Sequence, residues 1–221
     1  KLKSYMPTSL AYLLDKLNDR FSYFPIQSVS RSLQALVENT DEDLLNRMGS
    51  YGASRKYWDV PNEIIHEEIG LLIGANFVLG QAMITQTVSI LNKIRELAPQ
   101  TCELPNGKGQ ILSFQASKHM GSGLSHPCIV DLGANYFKHH SEWPEQWTQS
   151  GGSGLQGKTI QGCVAIGMSP REVTDNMFAA LQALSADGKN VKAIQGSIEF
   201  WRNGLAKHLY AKLEIADPST L

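Results

Sequence analysis

The hydrophobic residues of this chain recur mostly three or four positions apart, which is the spacing of one face of an α-helix. Between Ser9 and Phe21, the leucines at positions 10, 13, 14 and 17 fall on one face, and charged residues fill the other. A second helix is predicted over Ile26–Asn39, and a short third one over Asp41–Met48. In the second, the residues predicted to face inward are Val29, Leu33, Leu36 and Val37.

The longest predicted helix runs from Asn62 to about Leu97 and would span about 50 Å if it is unbroken. Its middle, Ile69–Leu91, is almost free of charge, which suits a membrane span or a buried core helix. The interspersed glycine and amide residues favour the core helix, so no membrane contact is expected. The glycines at positions 70, 74 and 80 would let other helices approach closely, or would break this helix in two.

A loop-rich region is predicted over residues 99–126, with a turn at Pro105–Gly109 and a short strand at Gln110–Gln115. A flexible glycine-serine loop is predicted over residues 149–157, and Thr159–Ile166 suits a short extended or helical segment. Further helices are predicted over Pro127–His140, from Ser169–Pro170 to about Leu184 with Ser169 and Glu172 as a capping box, and over Val191–Leu213.

These elements predict one mostly α domain over residues 1–221, a bundle of six to seven helices with a long central helix and a loop-rich insertion. The net charge of −1 means that the chain as a whole does not attract nucleic acid or anionic membranes, so such binding would need a local patch. Three widely spaced cysteines without a CxxC pair argue against a disulfide framework and favour the cytoplasm.

The last predicted helix carries the densest group of candidate functional side chains. Arg202 and Asn203 are followed, after four intervening residues, by His208. This spacing resembles the Arg-Asn-x4-His motif of the HEPN-domain family, whose members are all-α and usually dimeric. Many of them are metal-independent ribonucleases of toxin–antitoxin and phage-defence systems. The resemblance covers the motif and its place on a late helix.

The resemblance implies a role for each residue in cleavage of RNA by its own 2′-hydroxyl. His208 would move protons or orient the phosphate, and Arg202 would clamp the phosphate. Asn203 would hold the histidine or the substrate, with further contacts from Lys207 and Tyr210. No cofactor or metal is required, and the expected partners are RNA, a second copy of the chain, and a protein partner such as an antitoxin.

The geometry of a straight helix complicates this hypothesis. Six positions separate Arg202 from His208, which places them roughly 120° apart around the helix. They would converge if Gly204 relaxed the helix or if two chains shared one site. The alternative is that Arg202, Lys207 and His208 form an ordinary solvated face.

A second cluster, Lys138-His139-His140, ends a predicted helix just before Trp143 and Trp147. It suits a basic–aromatic surface for RNA, or cations that complement the dipole of the helix C-terminus. The spacings of His119, His126 and Cys128 match no standard zinc pattern, so no metal site is expected.

Acidic or polar residues that could support the motif lie elsewhere in the chain. Glu67 and Glu68 follow His66 at the start of the long helix, where they suit either acid–base chemistry or the helix dipole. Asp131 and Asn135 are further candidates for the supporting role.

The sequence therefore suggests three functions. The first is a HEPN-like metal-independent ribonuclease. The second is a non-catalytic helical interaction or regulatory protein, such as an inactive HEPN-like fold, that acts as an oligomer or a partner subunit. The third is a small-molecule binder whose pocket walls come from the long helix and the region of Trp143 and Trp147.

Overall fold

A computed structural model of the protein describes residues 8–18, 28–40, 60–99, 103–145, 147, 154–170, 173–185, 188 and 190–215. These residues form eight α-helices and, apart from one isolated bridge between Lys118 and Ser125, no β-structure. The helices are α1 (Thr8–Asn18), α2 (28–40), α3 (Val60–Leu97), α4 (Lys108–Ser113), α5 (His126–His139), α6 (Gly154–Ala165), α7 (Val173–Gln182) and α8 (Lys192–Lys212), with a 3₁₀ turn at His140–Glu142. The prediction of a mostly α fold with a long central helix is confirmed.

Helix α3 is unbroken and forms the centre of the fold. It packs against α5, α7 and α8, and also against α1. Its glycines lie where neighbouring side chains approach the helix backbone: Gly70 faces Thr174, Gly74 faces the Phe137 ring, and Gly80 faces Val130 and Ile194. The prediction of close approach at these glycines is therefore correct, and none of them breaks the helix.

One hydrophobic core joins the helices. Helix α3 contributes Ile73, Phe77, Ile84 and Leu91, all fully buried, and α8 contributes Trp201. Helix α1 buries the leucine face that its sequence predicts, with residues 10, 14 and 17 buried and residue 13 partly buried.

The inward face of α2 matches the prediction only in part. Val37 is buried and Leu33 is partly buried, as predicted, but Val29 and Leu36 are 47% and 49% exposed, and Ser30 and Gln34 are buried instead. The reason lies on α3, where Asn76 is buried and its side-chain oxygen accepts a hydrogen bond of 2.8 Å from Ser30 Oγ. A buried amide needs a polar partner, so the polar side of α2 turns inward.

The strand predicted over Gln110–Gln115 is wrong, because most of that segment belongs to α4. Ile111 and Leu112 are adjacent and both buried, whereas a strand would direct neighbouring side chains to opposite faces. Positive φ angles at Gly107 and Gln115, 90° and 57°, bracket this short helix.

Residues 154–157, predicted as part of the flexible loop, instead form the first turn of α6, and Thr159–Ile166 takes the helical alternative through residue 165. Residues 148–153, the Asp41–Met48 helix and the Glu172 part of the capping box lie outside the described residues.

By length and composition alone, the segment Ile64–Leu97 of α3 would be able to cross a membrane, and half of its most apolar stretch is buried in the fold. The core helix of a soluble protein meets the same criterion.

Candidate functional site

Arg202 lies inside the fold. Its side chain is only 2% exposed, and Nη2 donates a hydrogen bond of 2.6 Å to the backbone oxygen of Lys16 near the C-terminus of α1. The last carbonyls of a helix lack partners within the helix, and a guanidinium group satisfies them well. Arg202 therefore joins α8 to the end of α1, and it does not present its guanidinium to a phosphate in solution.

Gly204 does not relax α8, which continues without a break from Lys192 to Lys212. A β-carbon at Gly204 would lie 2.8 Å from the backbone oxygen of Gln115. The glycine thus allows the backbone at Gln115 to approach α8 closely. The predicted distortion of α8 at Gly204 is wrong.

His208 faces a different neighbour from Arg202. Its ring meets the edge of the Phe114 ring, with centroids 4.9 Å apart, whereas Arg202 faces α1. The roughly 120° separation expected of a regular helix is thus retained, and α8 carries the two side chains to separate parts of the fold.

The surroundings of His208 favour its neutral form. Burial lowers its pKa from 6.5, the positive charge of Lys212 lowers it further, and Glu103 opposes both effects. Lys212 and Glu103 form an ion pair of 2.6 Å beside it. The buried Nε2 of His208 has no hydrogen-bond partner among the described residues. His208 is thus largely neutral at neutral pH and would be able to accept a proton.

The other predicted site residues on α8 differ in their exposure. Asn203 is partly exposed and Lys207 is exposed. Tyr210, a predicted substrate contact, is only 4% exposed, and its hydroxyl donates to Asp15 Oδ1 of α1 at 3.5 Å. Tyr210 therefore belongs, like Arg202, to the packing of α8 on α1.

The predicted basic cluster at the end of α5 is exposed, but each of its members has a neighbour of its own. Lys138 Nζ donates to Gln81 Oε1 at 2.6 Å, and His139 Nδ1 lies 3.3 Å from Glu142 Oε1. His140 Nδ1 lies 3.1 Å from the Phe137 carbonyl oxygen and donates to it.

Gln81 of α3 is the centre of a polar network on α5. Its Nε2 donates to Asp131 Oδ1 at 2.7 Å and to Asn135 Oδ1 at 2.8 Å, and Lys108 pairs with Asp131 at 2.6 Å. Asp131 and Asn135, candidates to support the α8 motif, are thus engaged in joining α3, α4 and α5.

Trp143 and Trp147 pack on each other rather than forming the walls of a pocket. Their ring centroids are 5.3 Å apart, and both rings meet Tyr136 at steep angles. The Tyr136 hydroxyl accepts a hydrogen bond of 2.8 Å from Asn176 Nδ2, so this aromatic group anchors α7.

A cavity that sequence reasoning did not predict lies between the start of α3, the turn after α6 and the first turns of α7. Its volume is about 400 Å³, and it is open to solvent. We call it the His66 cavity; its lining residues are His66, Gly167, Ser169, Asp175, Asn176, Phe178, Ala179 and Gln182.

Two contacts shape the His66 cavity, one between two aromatic rings and one with a carboxylate. The His66 ring stacks on Phe178 with centroids 5.4 Å apart and 13° between the planes, and His66 Nε2 lies 3.7 Å from Asp175 Oδ1. The sequence contains little indication of this cavity. His66 was noted only for its position beside Glu67 and Glu68, and Asp175 lies more than a hundred residues further along the chain. The two acidic residues themselves are exposed.

Among the described residues, no group of three histidine, cysteine or acidic side chains is close enough to hold a metal ion. His119 Nδ1 pairs with Ser122 Oγ at 3.0 Å, and His126 Nδ1 lies 3.4 Å from Ser197 Oγ.

Comparison of the chain with family models, with curated proteins and with solved structures finds no match.

Proposed function

We propose that this protein is a helical interaction protein that associates with a second copy of itself through an exposed face of α3. A set of apolar side chains on the outside of the central helix, interrupted by Glu67 and Glu68, carries the proposal. The ribonuclease hypothesis is the weaker one, because a phosphate clamp needs an accessible guanidinium and Arg202 is 2% exposed.

The set consists of residues that fall on one side of a regular helix. Ile64 is 50% exposed and Leu71 is 57% exposed; Ala82 is exposed, and Ala75 and Val78 are partly exposed. We call these five residues the α3 stripe. Single exposed apolar residues are common on protein surfaces, but an apolar row over several turns marks an interaction surface.

The polarity of α3 favours a second copy of the chain as the partner. In an antiparallel pair of α3 helices whose stripes face each other, the helix dipoles would oppose each other favourably. The alanines of the stripe are small enough to let two helices approach closely.

The first experiment measures molar mass by light scattering and by sedimentation equilibrium. We expect a dimer for the unchanged protein. Leu71→Glu places a charge in the stripe and should weaken association by about tenfold or more. Phe200→Glu is the matched control, because Phe200 is 60% exposed but lies on α8; it should leave the dimer intact. A monomeric protein, or equal effects of the two variants, would refute the proposal.

Two further assays separate the other functions. If the stripe binds lipid instead, the protein should float with neutral vesicles and Leu71→Glu should abolish flotation. If the protein is a ribonuclease, it should cleave RNA in the presence of EDTA, and His208→Ala should abolish cleavage without unfolding the protein. Either result would contradict the proposal of a self-associating, non-catalytic protein.

A further inference from the structure

The His66 cavity lies on a different side of α3 from the stripe. Five positions separate His66 from Leu71, which places them roughly 140° apart around the helix. A ligand in the cavity would therefore leave the stripe accessible, and the two surfaces can be tested independently.

The carboxylate of Asp175 is available to a ligand. Its side chain is 52% exposed, and the distance of 3.7 Å to His66 Nε2 is longer than a hydrogen bond. The described lining contains neither lysine nor arginine, and His66 is its basic side chain in contact with this carboxylate. The cavity thus holds a negative charge that no fixed cation of the described lining neutralises.

The stacked rings of His66 and Phe178 form an aromatic wall beside this carboxylate. Phe178 is partly buried, and Ala179 and Gly167 add little bulk to the lining. An apolar wall next to one carboxylate suits a ligand with an apolar body and a single positive charge.

The floor of the cavity is held in place before any ligand arrives. Asn176 is 2% exposed; its Oδ1 accepts from Ser169 N at 2.9 Å, and its Nδ2 donates to Ser169 O at 2.7 Å. The same Nδ2 donates to the Tyr136 hydroxyl. These bonds fix the turn after α6 against α7, so the cavity is preorganised.

We infer that the His66 cavity binds a small organic cation, with its ammonium group on Asp175 and its apolar body against His66 and Phe178. The cavity volume of about 400 Å³ is in the range of small-molecule sites. This inference does not depend on the proposed self-association.

The test is an NMR titration of the isotopically labelled, full-length protein with benzylammonium as the probe. Benzyl alcohol, of similar shape but uncharged, and benzoate, of opposite charge, are the ligand controls. We expect benzylammonium to shift the signals of the cavity residues in a saturable manner, and the two control ligands to leave them unchanged.

Variants then test each contact. Asp175→Asn keeps the size of the side chain and should weaken benzylammonium binding by about tenfold. Phe178→Leu should weaken it several-fold. Glu145→Gln removes an exposed carboxylate outside the cavity and should change nothing. Thermal unfolding of each variant confirms that it is folded.

Four outcomes would overturn the inference: no saturable binding of benzylammonium, equal binding of benzyl alcohol, unchanged affinity in Asp175→Asn, or equal losses in Asp175→Asn and Glu145→Gln. If Asp175 serves only the dipole of α7, Asp175→Asn should lower thermal stability without changing affinity.

Discussion

Arg202 and His208 show how the surroundings of a residue decide its role. Both side chains suit phosphate chemistry, and both lie on one helix. Arg202 is buried against the Lys16 carbonyl, whereas His208 meets Phe114 and stays largely neutral. At the scale of single residues, the arginine is a structural link between α1 and α8.

Replacing Arg202 therefore tests its structural role. Arg202→Met keeps much of the side-chain volume but leaves the Lys16 carbonyl without this donor, so we expect a loss of about 1–3 kcal/mol in the free energy of unfolding. Lys207→Met, at an exposed position of α8, should change it by less than about 0.5 kcal/mol. Urea denaturation measures both, and a neutral Arg202→Met would contradict this role.

A second prediction at this scale concerns pH. Burial lowers the pKa of His208 and of His126 below 6.5, with Lys212 and His119 respectively adding to the effect. The unfolded chain then binds more protons than the folded one as pH falls through about 6.5. The stability that the neutral histidines provide is thus complete above about pH 6.5 and is lost between the unfolded and folded pKa values.

The pH prediction is checked by measuring the free energy of unfolding at about pH 7.5 and about pH 5.5. The double variant His126→Asn/His208→Asn should lose less stability between the two conditions than the unchanged protein. Lys207→Gln, which removes a charge that does not titrate in this interval, should behave like the unchanged protein. Equal losses in the double variant and the unchanged protein would contradict the prediction.

At the scale of elements, α3 determines how the other helices pack. Its apolar side chains form much of the core, and its glycines let side chains from α5, α7 and α8 reach its backbone. Its buried Asn76 also turns the polar side of α2 inward. The orientation of each neighbour thus follows from the position on α3 that it meets.

Two glycine replacements test this role. In Gly74→Ala, the new methyl group would overlap the Phe137 ring, so we expect a loss of about 1–3 kcal/mol in the free energy of unfolding. Gly196→Ala on α8 is the control, because no described atom from outside this stretch of α8 lies within 4 Å of the added carbon; it should stabilise the protein by about 0.5–1 kcal/mol. Similar effects of the two changes would show that close approach at Gly74 is unimportant.

At the scale of the whole molecule, the helices bury one shared core and leave Ile64, Leu71 and Ala82 of the α3 stripe exposed. The outward apolar residues of α2 follow the same pattern, since Val29 and Leu36 are about half exposed. The His66 cavity adds a second accessible feature on another side of α3. Exposed apolar helix faces and open cavities are features through which proteins bind other molecules.

Self-association predicts that thermal stability depends on protein concentration. A dimer that dissociates on unfolding has a Tm that rises with concentration, by mass action. We therefore expect the Tm of the unchanged protein and of Phe200→Glu to rise over a hundredfold concentration series. The Tm of Leu71→Glu should be nearly constant. A constant Tm in the unchanged protein would argue against a dimer.

The sequence by itself determined which segments become the main helices. The leucine face of α1, the position of α3 and the extent of α8 all follow from local periodicity and the absence of proline, because helix formation depends on neighbours within a few positions. For the glycines of α3 the sequence left two alternatives, close approach or a break in the helix, and the structure shows the first.

Only the tertiary structure decided which face of each helix turns inward and which polar side chains meet. Periodicity on α2 correctly placed Val37 inward, but Ser30, which bonds the distant Asn76, is buried where Val29 was expected to be. The Arg202–His208 spacing suggested one site, but contacts with Lys16 and Phe114 separate the two side chains. His66 and Asp175, far apart in sequence, come together because α7 packs on α3. Such contacts join positions that no local pattern connects.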